Sequence, residues 1–516
     1  MPNIPGTNYN VFVTTGQTIK FGVTSDPNNP PSPVPGDFNL EVVVNATGTG
    51  TYSTAPGYQG LAILSTDTHT LTLLHGDYGV VDNASNDTII LGDGNETIGG
   101  AIGDTVIGGT GASQFIDATR GGQSIVGGSA GNETIWGGGP SAFTSFDTII
   151  GGSGNETIGA FRSSIFGGSG NEFIDATRGS DRITLGTAGN ETIWGGGAVL
   201  ILGGGAANAT IGGVSDDTII GGTGNEFIDG SQGNQTITGG SGGNETIWGG
   251  PRSSITGGSG GNETIGSVSG NTIFGGSGGN EFIDISAGNQ AFFGSTDTGG
   301  NVTIWGGLND TIVAGFGDNE TVGGVPSDTI FLNSGNAFVD GSQGGQSIIG
   351  GFGGNQIIWG ALTDTIQGGS GGNETIAAAA GETVIGGNAN TFIDASAGNA
   401  SVIAGGGATS IWGGSGDTIQ GAVGNGLARV AFAATGGAET LWDNGPTPNF
   451  GQDTVFGFNH TRGDIISVPT GENVSGVLAS AHDVSGGVQF TLDDGVSVTL
   501  IGITAAQLDA TYFTTH

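Results

Sequence analysis

The chain has 516 residues, of which 113 are glycine and none is cysteine, and its 46 acidic against eight basic residues give a formal charge of −38. This charge disfavours nucleic acid and anionic membrane surfaces as partners and favours divalent cations. Disulfides are excluded, and no run approaches the 18 apolar residues of a membrane-spanning helix, so we expect no membrane insertion.

Residues 1–86 are expected to form a small β-rich cap or assembly domain. They contain the alternating runs YNVFV, FNLEVVV and HTLTLLH, which are typical of strands, and the proline-rich stretch PNNPPSPVPG interrupts these runs. The first ten residues lack the basic and apolar parts of a cleaved leader, so we expect no Sec-type signal.

Residues 87–426 form an array of internal repeats. The tripeptide Gly-Asn-Glu, usually followed by Thr-Ile or Phe-Ile, recurs from Glu96 to Glu374. Two other markers repeat every 53 to 58 residues: Trp136, Trp194, Trp248, Trp305, Trp359 and Trp412, and Asp117, Asp175, Asp229, Asp284, Asp340 and Asp394. The two sets share one period, which predicts super-repeats of about 54 residues.

Each super-repeat divides into six rungs of about nine residues, as Gly224 to Gly278 shows: GNEFIDGSQ, GNQTITGGSG, GNETIWGGP, RSSITGGSG, GNETIGSVS and GNTIFGGSG. A rung holds a short strand around a central Ile and ends in a glycine-rich turn, so Ile points inward and its neighbours outward. Two rungs make one coil of about 18 residues. The predicted fold class is therefore all-β, a parallel β-roll or β-solenoid.

Rungs such as GGSGNETIG resemble the nonapeptide G-G-x-G-x-D-x-U-x of the RTX, or hemolysin-type, calcium-binding repeat family, in which U is a large apolar residue. The resemblance covers about residues 86–424. It implies a β-roll that binds Ca²⁺ between successive turns through loop carbonyls and carboxylates. The ligands that it implies are Glu96, Asp104, Glu133, Glu156, Glu172, Glu191, Asp217, Glu226, Glu245, Glu263, Glu281, Asp310, Glu320, Asp328, Asp364, Glu374 and Asp417.

Most of these rungs carry Glu where the family has Asp. The longer Glu side chain reaches farther and can bind bidentately, yet its carboxylate can also lie outside a site shaped for Asp. Gly-Asn-Glu falls on alternate rungs and should stack along one edge of the coil. The alternative is that Asn and Glu form hydrogen-bonded ladders and turns without metal.

Outward residues after the central Ile cycle as Gly, Asp and Trp. This places Trp136, Trp194, Trp248, Trp305, Trp359 and Trp412 in one file. Exposed aromatic residues indicate a stripe that binds glycan or docks a subunit. The alternative is that each Trp only covers neighbouring Gly positions.

Residues 427–516 are predicted to contain further strands, with a hairpin around TLDDGVSVTL and a short terminal helix. The runs DTVFGFNHTRGDIISV and IGITAAQLDATYF resemble the C-terminal region of RTX proteins exported by type I secretion. The resemblance implies a type I secretion transporter as partner, and a protein that folds outside a Gram-negative bacterium, secreted or at the cell surface.

No enzyme is expected. The chain has no H-E-x-x-H motif, its five His residues do not cluster in sequence, and its G-x-S-x-G match at 257–261 is one copy of a repeat. The leading hypothesis is a calcium-dependent structural protein that self-assembles into a homo-oligomer or polymer of surface-layer or filament type. The alternative is a secreted adhesin that binds cell-surface polysaccharide through the Trp file.

Overall fold

Parallel strands stacked into coils build this protein, and the computed structural model is all-β with about 18 residues per turn and 3% helix. The structure describes residues 19–24, 30–46, 49–52, 55–58, 60–65, 70–74, 76–82, 85–129, 131–139, 146–205, 208–295, 300–316, 319–443 and 451–516. The chain divides into two units, residues 1–261 and 262–516. The predicted fold class is confirmed.

In the first unit, each coil contributes one strand to each of two parallel sheets. The long-strand sheet contains Ile19–Thr24, Phe38–Ala46, Gly60–Ser65, Tyr78–Asp82, Glu96–Gly99, Ser113–Ala118, Asn132–Gly137, Asn155–Gly159, Asn171–Asp175, Asn190–Trp194, Asn208–Gly212, Asn225–Gly230 and Glu245–Gly249. The short-strand sheet contains Thr49–Tyr52, Thr70–Leu73, Thr88–Ile90, Thr105–Ile107, Ser124–Val126, Asp147–Ile150, Ser163–Phe166, Arg182–Thr184, Leu200–Leu202, Thr218–Ile220, Thr236–Thr238 and Ser254–Thr256.

The second unit repeats this arrangement. Its long-strand sheet contains Glu263–Ser267, Glu281–Asp284, Asn301–Trp305, Asn319–Gly323, Asn336–Asp340, Asn355–Trp359, Asn373–Ala377, Asn390–Asp394, Ala408–Trp412, Leu427–Ala431, Gln452–Phe456, His482–Val484, Gly487–Thr491 and Ser497–Ile501. Its short-strand sheet contains Thr272–Phe274, Ala291–Phe293, Thr311–Val313, Thr329–Phe331, Ser347–Ile349, Thr365–Gln367, Thr383–Ile385, Ser401–Ile403, Thr418–Gln420, Thr440–Trp442, Ile465–Val468 and Phe513–Thr515.

The core is a stack of the central Ile side chains. Ile158 pairs in register with Ile135 on one side and Ile174 on the other, and all three are fully buried. Period-two alternation puts one face of each strand inside, as predicted. Identical apolar side chains in register therefore form the floor on which the polar residues of each coil stack.

The turns need glycine because successive coils touch there. A methyl group on Gly170 would overlap the carbonyl oxygen of Gly154 on the preceding coil. In the other row of turns, the residue two positions before a short strand often takes a left-handed conformation. Asn234 does so at φ 53° and Asn289 at φ 56°. Asn tolerates this region better than most residues.

The described strands before residue 86 continue the same stacking within the first unit. The strand Tyr78–Asp82 pairs in parallel with Gly60–Ser65 and with Glu96–Gly99, so the described strands show no break at residue 86. Several apolar side chains, including Leu40, Val42 and Ala62, pack together here, whereas most later strands contribute one central Ile. The predicted strand YNVFV lies outside the described residues.

The end of the chain closes the second unit with an antiparallel hairpin. Gly487–Thr491 and Ser497–Ile501 pair antiparallel around the predicted turn, and Ser497–Ile501 also pairs in parallel with Gln452–Phe456. An α-helix covers Val474–Ser480, and 3₁₀ turns cover His460–Arg462 and Ala510–Tyr512. Within the described ranges, no helix has both the length and the apolar character needed to cross a membrane.

Candidate functional site

The predicted calcium ligands all lie inside the coils. Each of the 17 carboxylates named above is at most 6% exposed. In the strand Asn155–Gly159, Glu156 stands two positions before Ile158 and therefore points to the same interior face. The alternation that placed Ile inward also places Glu inward, a consequence that the sequence interpretation of Glu as a loop ligand did not include.

These carboxylates form two columns inside the coils, which we name the Glu column and the Asp column. The Glu column lies in the long strands, where Glu133, Glu156 and Glu172 pair in register on successive coils. The Asp column precedes the short strands, and the Asp310 amide donates to Asp328 Oδ1 on the next coil at 2.9 Å. Gly-Asn-Glu thus stacks on one side of the coil, as its alternate spacing in the sequence predicts.

Turn amides donate hydrogen bonds to the Glu column. The amide of Gly168 donates to Glu172 Oε1 at 3.0 Å, and that of Gly128 donates to Glu133 Oε2 at 2.6 Å. Backbone N–H groups buried in a tight turn need an acceptor, and a carboxylate is a strong one. Glu133 and Glu172 therefore satisfy the turns that precede their own strands.

The Asp column links neighbouring coils in the same way. Asp217 Oδ2 accepts from the Val214 amide of its own turn at 2.8 Å, while Oδ1 accepts from the Val199 amide of the preceding coil at 2.8 Å. Asp364 repeats this pattern with the amides of Ala361 and Gln346, both at 2.8 Å. One short carboxylate thus bridges two coils.

Burial in these columns favours the protonated carboxyl. It raises the pKa of Glu156 to about 8, and the adjacent charges of Glu172 and Glu133 add to the rise. Burial and the charge of Glu191 raise the pKa of Glu172 to about 7. The buried Oε2 atoms of Glu156 and Glu172 receive no hydrogen bond from an N–H or O–H group, so a proton held between the two carboxyls supplies the missing donor.

The turns of the Glu column do not fit Ca²⁺ as the family resemblance implies. The ion takes six to eight oxygen ligands. Here the turn carbonyls of Gly128 and Gly152 already accept from the amides of Ser153 and Ser169, both at 2.9 Å, while the turn amides face the carboxylates. Inward-facing amides of this kind bind a carboxyl group rather than a cation, so we place no calcium ion at these turns.

One carboxylate trio suits a hard cation better. Oxygens of Asp82, Asp87 and Asp104 lie within 4.8 Å of one another, and all three residues are buried; among the described residues this is the one such trio. Asp104 is a predicted ligand, whereas Asp82 and Asp87 were missed because they precede the glycine-rich frame. Their spacing in VDNASND is the signal available in the sequence. The Asp87 amide also donates to Asp104 Oδ1 at 3.1 Å.

The Trp file lies on the outer face of the long-strand sheet. Register pairs join Asp117 to Trp136, Trp136 to Gly159 and Gly159 to Asp175, which confirms the predicted cycle of Gly, Asp and Trp. The indoles are 43–57% exposed: Trp136, Trp194, Trp248, Trp305, Trp359 and Trp412. Each unit therefore carries an exposed Trp on every third coil.

Each Trp of the second unit's described file packs edge-on against a Phe from the preceding coil. Ring centroids are 5.1 Å apart at 81° for Phe282 and Trp305 and 5.0 Å apart at 85° for Phe338 and Trp359. Such geometry is favourable for aromatic pairs. On the other side, Trp194 lies over Gly212, where a methyl group would come within 2.8 Å of Cε3. The indole thus covers a glycine and still keeps about half its surface free.

Asparagine forms the ladder that the metal-free alternative predicts. Asn171 Nδ2 donates to Asn155 Oδ1 at 2.9 Å, and Asn208 Nδ2 donates to Asn190 Oδ1 at 2.7 Å. The second unit repeats the contact between Asn280 and Asn262 at 2.9 Å. Side-chain amides therefore reinforce the backbone pairing along the outside of the long-strand sheet.

The stacked parallel coils, with Ile floors and carboxyl columns inside them, define this protein as a parallel β-solenoid. No family model, curated protein or solved structure matches the chain. Membership of the RTX family therefore stays a prediction that rests on the nonapeptide resemblance.

Proposed function

We propose that this chain is an extracellular structural protein that self-assembles through the outer face of its long-strand sheet. The observation that carries the proposal is the recurrence of an exposed Trp on every third coil of that face. Trp305, Trp359 and Trp412 are each at least 50% exposed, although burial of such side chains is strongly favourable. Exposed aromatic residues at regular spacing mark interaction surfaces.

The interior supports a structural rather than a catalytic role. The buried carboxyls hardly contact solvent, and they accept hydrogen bonds from turn amides. The resemblance of the C-terminal region to type I secretion substrates supports export to the surface or surroundings of a Gram-negative cell. Calcium-dependent assembly belongs to the same proposal, and the Asp82, Asp87 and Asp104 trio is where we place that dependence.

Self-assembly is tested with the full chain by light scattering and electron microscopy over a range of concentrations. Replacing Trp305→Ala and Trp359→Ala together should raise the concentration needed for assembly by about tenfold or more. Phe352→Ala is the matched control, because Phe352 is 69% exposed in a turn outside the Trp file. An unmodified chain that stays monomeric with and without calcium contradicts the proposal.

A glycan-binding adhesin is the second candidate, favoured by the pairing of Asp340 with Trp359 on adjacent coils. An exposed indole stacks on sugar rings, and a carboxylate accepts from their hydroxyls. Titration with soluble polysaccharides separates the two functions. Loss of polysaccharide binding in the Trp double variant, with assembly unchanged, would favour the adhesin.

A further inference from the structure

The basic residues of this chain are concentrated in the first unit. Five of the eight are Arg120, Arg162, Arg178, Arg182 and Arg252, and residues 253–428 contain no Lys or Arg at all. In a chain of charge −38, such an island is the one region where an acidic partner meets net attraction at close range.

Four of these arginines, Arg252 among them, share one row of turns, and the other three lie within three coils of one another. Arg120 follows the strand Ser113–Ala118, Arg162 follows Asn155–Gly159, and Arg178 follows Asn171–Asp175. We name these three residues the arginine corner. Phe side chains support it: the Arg162 guanidinium lies 5.3 Å from the ring centroid of Phe146, and that of Arg178 lies 5.2 Å from Phe161.

The arginine corner has the composition of an interface centre. Arg and aromatic residues are enriched in the cores of protein interfaces, where a ring holds the guanidinium flat and partly desolvated. Arg120 and Arg178 are exposed, and Phe146 is 55% exposed.

Both units carry a complementary surface on the long-strand sheet. A carboxylate and an indole stand side by side on every third coil. The pairs are Asp117 with Trp136, Asp175 with Trp194, Asp229 with Trp248, Asp284 with Trp305, Asp340 with Trp359 and Asp394 with Trp412. We name these the Asp–Trp pairs. A guanidinium binds a carboxylate through two parallel N–H groups and stacks on an indole, so one Arg can satisfy both members of a pair.

Both surfaces have the same spacing. Arg120 and Arg178 are three coils apart, as the register of the intervening strands shows, and Asp284 and Asp340 are also three coils apart. At ~4.8 Å per coil, both spacings are about 14 Å. Two Arg of one molecule can therefore meet two Asp–Trp pairs of another molecule at once.

We infer that the arginine corner of one copy docks on the Asp–Trp pairs of a second copy. The inference rests on the proposed self-assembly and names the surfaces that carry it. The two surfaces differ, so the contact is heterologous and leaves at least one free surface of each kind on every dimer. Addition of further copies extends the assembly.

The test uses two full-length variants that each lose one surface. The first carries Arg120→Gln and Arg178→Gln. The second replaces the aspartate of every Asp–Trp pair: Asp117→Asn, Asp175→Asn, Asp229→Asn, Asp284→Asn, Asp340→Asn and Asp394→Asn. Asn keeps the oxygen that accepts from the amide two residues on, as Asp284 does from Ser286 at 3.0 Å. Arg182→Gln is the matched control, because Arg182 is exposed on the short-strand sheet and lies outside the arginine corner.

We expect each variant alone to remain monomeric at concentrations where the unmodified chain assembles, and the two variants mixed in equal amounts to form complexes of two or three chains and nothing larger. Arg182→Gln should assemble normally, and circular dichroism should show the same thermal unfolding for all chains. Assembly of the Arg double variant like the unmodified chain overturns the inference while leaving self-assembly intact. Equal weakening by Arg182→Gln also overturns it, and absence of assembly in the unmodified chain overturns the proposed function itself.

Discussion

Glu156 and Glu172 occupy the same register position on successive coils, and each is buried with one carboxyl oxygen that accepts no hydrogen bond. The pair holds a proton that the unfolded chain releases near its ordinary pKa of 4.5, because burial raises the pKa of Glu156 to about 8. Folding is therefore linked to proton uptake.

Stability should fall as the pH rises. A carboxyl whose pKa is raised on folding contributes stability that is complete below about pH 4.5 and is lost as the pH passes through its folded value of about 7 to 8. We expect the thermal midpoint to drop by roughly 5 °C or more between pH 5 and pH 8.5. Circular dichroism melts at both pH values measure this.

Glu156→Gln provides the control for that linkage. An amide keeps the shape of the protonated carboxyl and removes the titration, so the variant should melt above the unmodified chain at pH 8.5 and near it at pH 5. A thermal midpoint that rises with pH in the unmodified chain would contradict the assignment of a shared proton.

Calcium binding should depend on Asp104 and not on the Glu column. We expect Asp104→Asn to weaken calcium binding by about tenfold or more, because it removes one of three clustered carboxylates. Glu172→Gln should leave binding unchanged, since the turn carbonyls near it are already engaged by the next coil. Calorimetric titration of each chain with CaCl₂ decides between the two regions. If Glu172→Gln weakens binding and Asp104→Asn does not, calcium binds at the turns, as the family resemblance implies.

The turn glycine Gly170 should tolerate substitution far less well than the strand glycine Gly99. Gly170→Ala places a methyl group on the carbonyl oxygen of Gly154, so the coils must separate locally, and we expect a loss of about 2 kcal/mol or more in the free energy of unfolding. Gly99→Ala is the matched control, because its nearest neighbour would be the Val80 carbonyl oxygen at 3.9 Å. Denaturant unfolding of both variants measures the difference, and equal losses would contradict it.

The left-handed turn position offers a stabilising change. Thr363 occupies it at φ 70°, which is costly for a β-branched residue, whereas Asn occupies the equivalent position at Asn234 and Asn399. Thr363→Asn should raise the free energy of unfolding by about 1 kcal/mol. The reverse change, Asn399→Thr, should lower it by a similar amount, and an opposite sign in either variant would show that side-chain contacts outweigh backbone strain.

Sequence periodicity predicts the parts of this protein that depend on neighbours in the chain. The inward Ile158, the coil length and the cycle of Gly159, Asp175 and Trp194 all follow from alternation and repeat spacing. The role of Glu172 does not follow, because it depends on an amide four residues earlier and on carboxyls one coil away on either side. The trio at Asp82, Asp87 and Asp104 was missed for the same reason, since its members come from different coils.

Ile158 pairs with Ile174 and Trp136 with Gly159, and the same register pairs recur three coils later. The surface residues of each unit are therefore evenly spaced along it. Gene duplication or deletion of one super-repeat would change the reach of a unit by about 14 Å and leave every remaining surface residue aligned. The length of the array can thus change by whole super-repeats while the docking surface stays the same. Loss of a single rung would instead move every later surface residue out of line with those before it.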